Sequence, residues 1–352
     1  MLPQLRTNSS DTGKAGPELR VVAIGGGTGL STLLKGLKRY VMTPALATPG
    51  QPTIRELCGV VTVSDDGGSS GRLRKEFNML PPGDVRNCIV ALSEDEALLS
   101  KLFQHRFQKG SGLEGHSFGN LFLAALTSIT GDFAEAVRLS SEILLTRGRI
   151  YPATMSNVEL EALFEDQTRV RGETRITASK GKIRELFLVP PDVEPLAHTL
   201  EAIAHANLIT IGPGSLFTSL IPNLLVRGIP EAILESPAVK VFVCNLMTQA
   251  NESLGLTAAD HIRALNEHAR VQLFDYALIN RKPASPEMKA KYALEGASQI
   301  VADLEAIEAL GVCPLLGDYL DEGDVARHAT DRVARDLMAL MSQAPDRQTA
   351  GR

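Results

Sequence analysis

Val60-Val-Thr-Val-Ser-Asp-Asp-Gly-Gly-Ser-Ser-Gly-Arg-Leu-Arg74 joins an apolar, β-branched run to two carboxylates and a glycine-serine loop ending in arginines. The run predicts a buried strand. The loop after it has the makeup of a phosphate or metal-phosphate site, whereas a plain reversal needs only one glycine or an Asn-Gly pair. Upstream, residues 19–24 form another short apolar run that stops at Gly25, and residues 30–40 have helical spacing, so the chain opens strand, helix, strand. The pattern returns at 208–211 before Gly212 and at 239–244 before Asn245, and residues 276–279 predict the last strand. Residues 120–130 and 133–145 read as helices, the second capped by Asp132 and ended near Gly148. Strands alternating with helices predict an α/β fold, a Rossmann-like, doubly wound, mostly parallel sheet. Residues 149–190 interrupt the alternation with short stretches separated by Gly172 and Gly181, which predicts a small β-rich insertion. The expected organisation is one domain over 19–342, including the 149–190 excursion, between disordered tails at 1–18 and 343–352.

The 352 residues are 44% hydrophobic, enough for a sizeable core, and the formal net charge is −5. That balance gives no general attraction to nucleic acid or to an anionic membrane, so a small anionic ligand held by a local cluster is the better fit. Cys58, Cys88, Cys244 and Cys313 are widely separated with no CxxC pair, which predicts buried free thiols in a reducing compartment. The chain shows no apolar membrane span and no signal-peptide core, so a cytoplasmic protein is expected.

In an open parallel sheet, ligands bind beyond the carboxyl ends of the strands. The first such loop is Gly25-Gly26-Gly27-Thr28-Gly29-Leu30-Ser31, whose glycines allow close backbone approach to phosphate ahead of a helix N-terminus. It departs from the dinucleotide fingerprint because Leu30 takes the third glycine position, which disfavours an NAD-binding oxidoreductase. In the second loop, Asp65 and Asp66 suit either Mg²⁺ or sugar hydroxyls. Ser69 and Ser70 supply donors there, and Arg72 and Arg74 offer forked contacts to a pyrophosphate. Asp84, Arg86 and Asn87 follow Pro81-Pro82-Gly83 at a predicted helix start, where the plain structural role for Asp84 is an N-cap. His116, in Gly115-His-Ser-Phe-Gly-Asn120, is a candidate phosphate donor or proton carrier, with a packed loop histidine as the alternative. Gly212, Gly214 and Ser215 form another strand-glycine-helix junction, and Asn245 and Thr248 follow a further strand. Asp65, Asp66, Asp84 and His116 are the candidate catalytic groups; no Ser-His-Asp order, HExxH or P-loop lysine is present.

The motifs GGGTGLS (25–31), DDGGSSGRLR (65–74), PPGDVRN (81–87), GHSFGN (115–120), IGPGSLFTSLIPNLL (211–225) and NLMTQ (245–249), in this order, resemble the YvcK group of the CofD-like proteins, over about residues 20–335. The resemblance implies a Rossmann-like fold and a gluconeogenesis factor that binds UDP-N-acetylglucosamine and supports cell shape and cell-wall growth on gluconeogenic carbon. It also implies a protein partner in wall synthesis, and it leaves homo-oligomerisation open. CofD itself is a Mg²⁺-dependent 2-phospho-lactate transferase using a guanylated donor, so phosphotransfer is the alternative, with Mg²⁺ as candidate cofactor. By the same resemblance, Tyr292 and Arg327 are expected beside the nucleotide sugar. Ala250-Asn-Glu-Ser253 departs from the family's Pro-Gly-Glu-Thr continuation.

Overall fold

The computed structural model describes residues 16–42, 50–94 and 101–343. The tails expected at 1–18 and 343–352 lie outside these residues, apart from positions 16–18 and 343. Seven parallel strands make the main sheet: β1 (Glu18–Gly25), β2 (Thr53–Val61), β3 (Arg149–Pro152), β7 (Leu208–Ile211), β8 (Val239–Val243), β9 (Tyr276–Asn280) and β10 (Cys313–Gly317). Their spatial order is β10-β9-β8-β7-β1-β2-β3. A three-stranded antiparallel sheet, β5-β4-β6, is formed by β4 (Glu159–Phe164), β5 (Arg169–Arg171) and β6 (Ile183–Val189). A short hairpin joins β11 (Leu320–Glu322) to β12 (Ala326–His328).

The central strands are apolar throughout because helices cover both faces of the sheet. Val21, Val22, Ala23 and Ile24 of β1 are at most 1% exposed, and all of β7 is buried. Helix α1 (Gly27–Leu37) buries Leu30, Leu33, Leu34 and Leu37, spaced three and four apart as one face of a helix requires. The insertion strand β4 alternates instead, with Leu160, Ala162 and Phe164 inward, as a sheet covered on one face does. Asp132 caps the helix Phe133–Ile143, accepting from the Glu135 amide at 2.7 Å.

Three expectations are corrected. The segment 149–152 belongs to the main sheet, paired parallel with β2, so the antiparallel insertion starts only at β4. The final sheet strand is β10, not the one at 276–280. Cys58, Cys88 and Cys244 are buried free thiols, but Cys313 is exposed at the start of edge strand β10. Among the described residues, no helix is long and apolar enough to cross a membrane.

The chain turns left and right of β1: β2 lies on one side and β7 on the other. The loops leaving β1 and β7 therefore diverge and open a crevice at this switch point.

Candidate functional site

The crevice is a cleft of about 680 Å³. Gly26 to Gly29 form one wall, and Pro213 to Ser215 with Thr218 and Ser219 form a second. Asn245 to Ala250 complete it beside Tyr292, Glu295 and His328. Glycine is required where the first two walls touch. A Cβ on Gly29 would lie 2.2 Å from the Pro213 carbonyl oxygen, and one on Gly26 would lie 2.9 Å from Asp84 Oδ2. Gly212 turns β7 into its loop at φ +86, with its missing Cβ against the Val243 carbonyl.

Side chains from the β8 loop brace the second wall. Asn245 Nδ2 donates to the Gly214 carbonyl at 2.6 Å while its Oδ1 accepts from the Gly214 amide at 3.0 Å. Gln249 Nε2 donates to Ser215 Oγ, and Thr248 exchanges hydrogen bonds with Ser298. Asn245 thus spends its amide on holding the loop.

Carboxylates form the floor. Asp84 Oδ2 accepts from the Gly27 amide at 2.7 Å, so it serves the start of α1 and not that of its own helix, α3 (Gly83–Leu92). Burial pushes its carboxyl up to about 6; the Gly27 amide opposes this and Asp65 adds to it. Asp65 Oδ1 accepts from the Gly67 amide at 2.9 Å, and its Oδ2 lies beside Gly83, next to Asp84. Glu173 enters from the insertion, and burial followed by repulsion from Asp65, Asp84 and Asp66 pushes it up to about 9. Among the described residues, no lysine or arginine lines the cleft.

Asp66 turns the other way. Its Oδ1 accepts from the Thr174 amide at 2.9 Å and the Thr174 hydroxyl at 2.6 Å, tying the loop to the short insertion helix Glu173–Ala178. Helix α2 (Gly68–Phe77) begins within the signature segment and winds its side chains in different directions. Arg74 is buried and donates to the Asn157 side chain and the carbonyls of Ser64 and Val158. Arg72 is exposed and donates to the Glu114 carbonyl. Neither arginine lines the cleft.

Ser69, His116 and Asn120 form a separate buried cluster. Ser69 Oγ lies 2.9 Å from His116 Nδ1 and accepts from Asn120 Nδ2. Burial, then Arg72, pulls the His116 pKa down. Arg86 spans Asn87 Oδ1 and Ser117 Oγ, and Ser70 packs against Gly83. None of these residues, nor Gly25 where β1 ends, is part of the cleft lining. Arg327 is exposed on β12 opposite Asp321, outside the lining, whereas Tyr292 lines it.

The cleft therefore gathers Gly26, Gly27, Thr28, Gly29, Asp65, Asp84, Gly214, Ser215, Asn245, Thr248 and Tyr292 from the sequence-based expectations. It adds Glu173, Gln249, Glu295 and His328, which sequence reasoning passed over. The signal for Gln249 and His328 lay one residue beyond Thr248 and Arg327; Glu173 carries none.

A family model described as 2-phospho-L-lactate transferase CofD matches residues 21–320. The chain belongs to the CofD family. This CofD-family chain is 49% identical over 320 residues to a gluconeogenesis factor of Halalkalibacterium halodurans, covering 90% of this chain and 95% of that one. It is 45% identical over 329 residues to the gluconeogenesis factor of Bacillus subtilis, covering 93% of this chain and 100% of that one. A crystal structure of a UPF0052 family member from Bacillus halodurans superimposes with a TM-score of 0.85 at 48% identity, covering 92% of this chain and 99% of that one.

Proposed function

We propose that the cleft binds UDP-N-acetylglucosamine and that its occupancy regulates cell shape and wall growth under gluconeogenic conditions through a protein partner. The observation that carries this reading is the cleft's division of labour. Glycine loops and the N-terminus of α1 line the cleft, and so does the aromatic ring of Tyr292. Backbone amides and a helix N-terminus suit phosphate, and an aromatic face suits a base. A volume of about 680 Å³ lies within the roughly 300–1,000 Å³ of small-molecule sites.

The lining's carboxylates, with no cationic side chain among them, oppose a bare diphosphate. Mg²⁺ fits the donor set, because it is held by one or two carboxylates plus phosphate and water. Asp65 and Asp84 would hold it, since Asp66 is engaged by Thr174. Among the described residues no group of three or more His, Cys, Asp or Glu is placed to hold a metal alone, so phosphate oxygens must complete the shell. When bound, the ion would supply the positive charge that the lining's carboxylates and a diphosphate both lack.

Calorimetry with UDP-N-acetylglucosamine and Mg²⁺ is expected to give a saturable heat, weakened about tenfold or more by chelation or by Asp65→Ala. No heat under any condition would sink the ligand; a heat indifferent to chelation and to Asp65→Ala would remove the metal.

A second reading is phosphotransfer in which Asp65 and not Asp84 would hold Mg²⁺, leaving Asp84, hydrogen-bonded to the Gly27 amide and pushed up to about 6 by burial, to accept the proton near neutral pH. In that reaction an acceptor hydroxyl attacks the donor phosphorus, its proton passes to the carboxylate, and a nucleoside monophosphate leaves. Assays for monophosphate release with guanosine and uridine donors and an alcohol acceptor separate the two readings.

A further inference from the structure

His328 sits at the end of β12 and lines the cleft, two residues from Ala326, whose amide donates to the Tyr292 hydroxyl at 3.2 Å. The two rings therefore stand on one linked corner. His328 Nε2 lies 3.0 Å from the backbone carbonyl of Cys244. A carbonyl can only accept, so Nε2 carries the hydrogen and Nδ1 carries a lone pair. Among the described residues Nδ1 has no hydrogen-bond partner, and it is not among the side-chain atoms sealed from solvent without one. Burial also pulls the ring's pKa down to about 4, with the Cys244 carbonyl opposing, so the lone pair persists at neutral pH. A fixed acceptor on a ring that lines the cleft together with Tyr292 is suited to reading a base edge.

We propose that His328 determines base specificity, accepting through Nδ1 a hydrogen bond from the ring N3–H of a uracil stacked on Tyr292. This rests on the nucleotide-sugar reading above. Cytosine in the same pose would set its N3 lone pair against that of Nδ1, and a methyl group on uracil N3 would remove the donor. Recognition of this kind discriminates because a mismatched base leaves the site's polar atom unpaired.

The test compares UDP, N3-methyl-UDP and CDP by calorimetry in the presence of Mg²⁺, for the wild type and for His328→Gln. Glutamine can keep an N–H donor toward the Cys244 carbonyl, while its one acceptor, Oε1, branches one carbon further along the side chain than Nδ1 and so does not occupy the Nδ1 position. The wild type is expected to bind UDP about tenfold more tightly than either analogue, the worth of one neutral hydrogen bond. His328→Gln is expected to bind all three within about threefold of one another. Equal binding of the three by the wild type overturns the inference and leaves the nucleotide reading standing. An undiminished preference in His328→Gln also overturns it, by assigning the preference to steric exclusion of the methyl group or to another residue. No binding of any of the three by the wild type would instead remove the nucleotide reading, and this inference with it.

Discussion

Gly29→Ala is expected to abolish measurable nucleotide-sugar binding and to lower the melting temperature by several degrees. The added Cβ would lie 2.2 Å from the Pro213 oxygen, 2.7 Å from its carbonyl carbon and 3.1 Å from Gly214 Cα. All three are backbone atoms, so no side-chain rotation relieves the overlap. Helix α1 and the β7 loop must separate, and the two walls of the cleft part with them. Overpacking of this kind costs about 1–3 kcal/mol, and at about 2–4 °C per kcal/mol for a large domain the shift is readily measured. Gly27→Ala provides the contrast. Its φ of +61 makes alanine strained, but the new Cβ would meet only Ser219 Oγ at 3.6 Å. That strain costs about 1 kcal/mol, and the walls stay in register. Calorimetric melting and ligand titration of both variants decide the matter. Gly29→Ala with wild-type values would show that the two loops do not meet as described.

The wild type is expected to lose stability as pH rises from about 5 to 9, and Glu173→Gln is expected to flatten much of that slope. Glu173 is raised from an ordinary 4.5 to about 9 in the folded chain, by burial first and then by Asp65, Asp84 and Asp66. Between those values the folded chain holds a proton that the unfolded chain has released, so stability falls with increasing pH. The contribution is complete below about pH 4.5 and is lost as pH climbs toward 9. Asp84, raised to about 6, adds a smaller loss between about 4 and 6. Glutamine keeps the shape without the charge, and its advantage at pH 9 should be on the order of 2 kcal/mol. That is less than the full shift implies, because Glu173 keeps some contact with water. At pH 5 the two proteins should melt together. Mg²⁺ should shrink the wild-type slope, since a cation between the carboxylates favours their charged forms. Parallel melting curves of wild type and variant from pH 5 to 9 would refute this account of Glu173.

The central sheet was legible in the chain because β1, β2, β7 and β8 are short apolar runs, each followed by a loop rich in glycine or polar residues. Edges were harder. The strand Cys313–Gly317 contains a proline and buries little, and Arg149–Pro152 begins with an exposed arginine, so neither has the composition of a covered strand. Site residues divided by geometry more than by chemistry. Ser69, Ser70, Arg72 and Arg74 are consecutive or nearly so in sequence, which suggests one loop with one destination. They lie on α2, whose winding buries Arg74 behind the loop and sends Arg72 outward. Glu173 was invisible because an isolated glutamate in a short helix signals nothing until the insertion is folded over the cleft.

Asp65 and Asp66 are adjacent and have different partners: one belongs to the cleft floor, and the other grips Thr174 on the short insertion helix. A single peptide unit separates them, so the contact that fastens the insertion and the floor of the cleft share one short piece of backbone, and Glu173, one residue before Thr174, is thereby held over the same cleft.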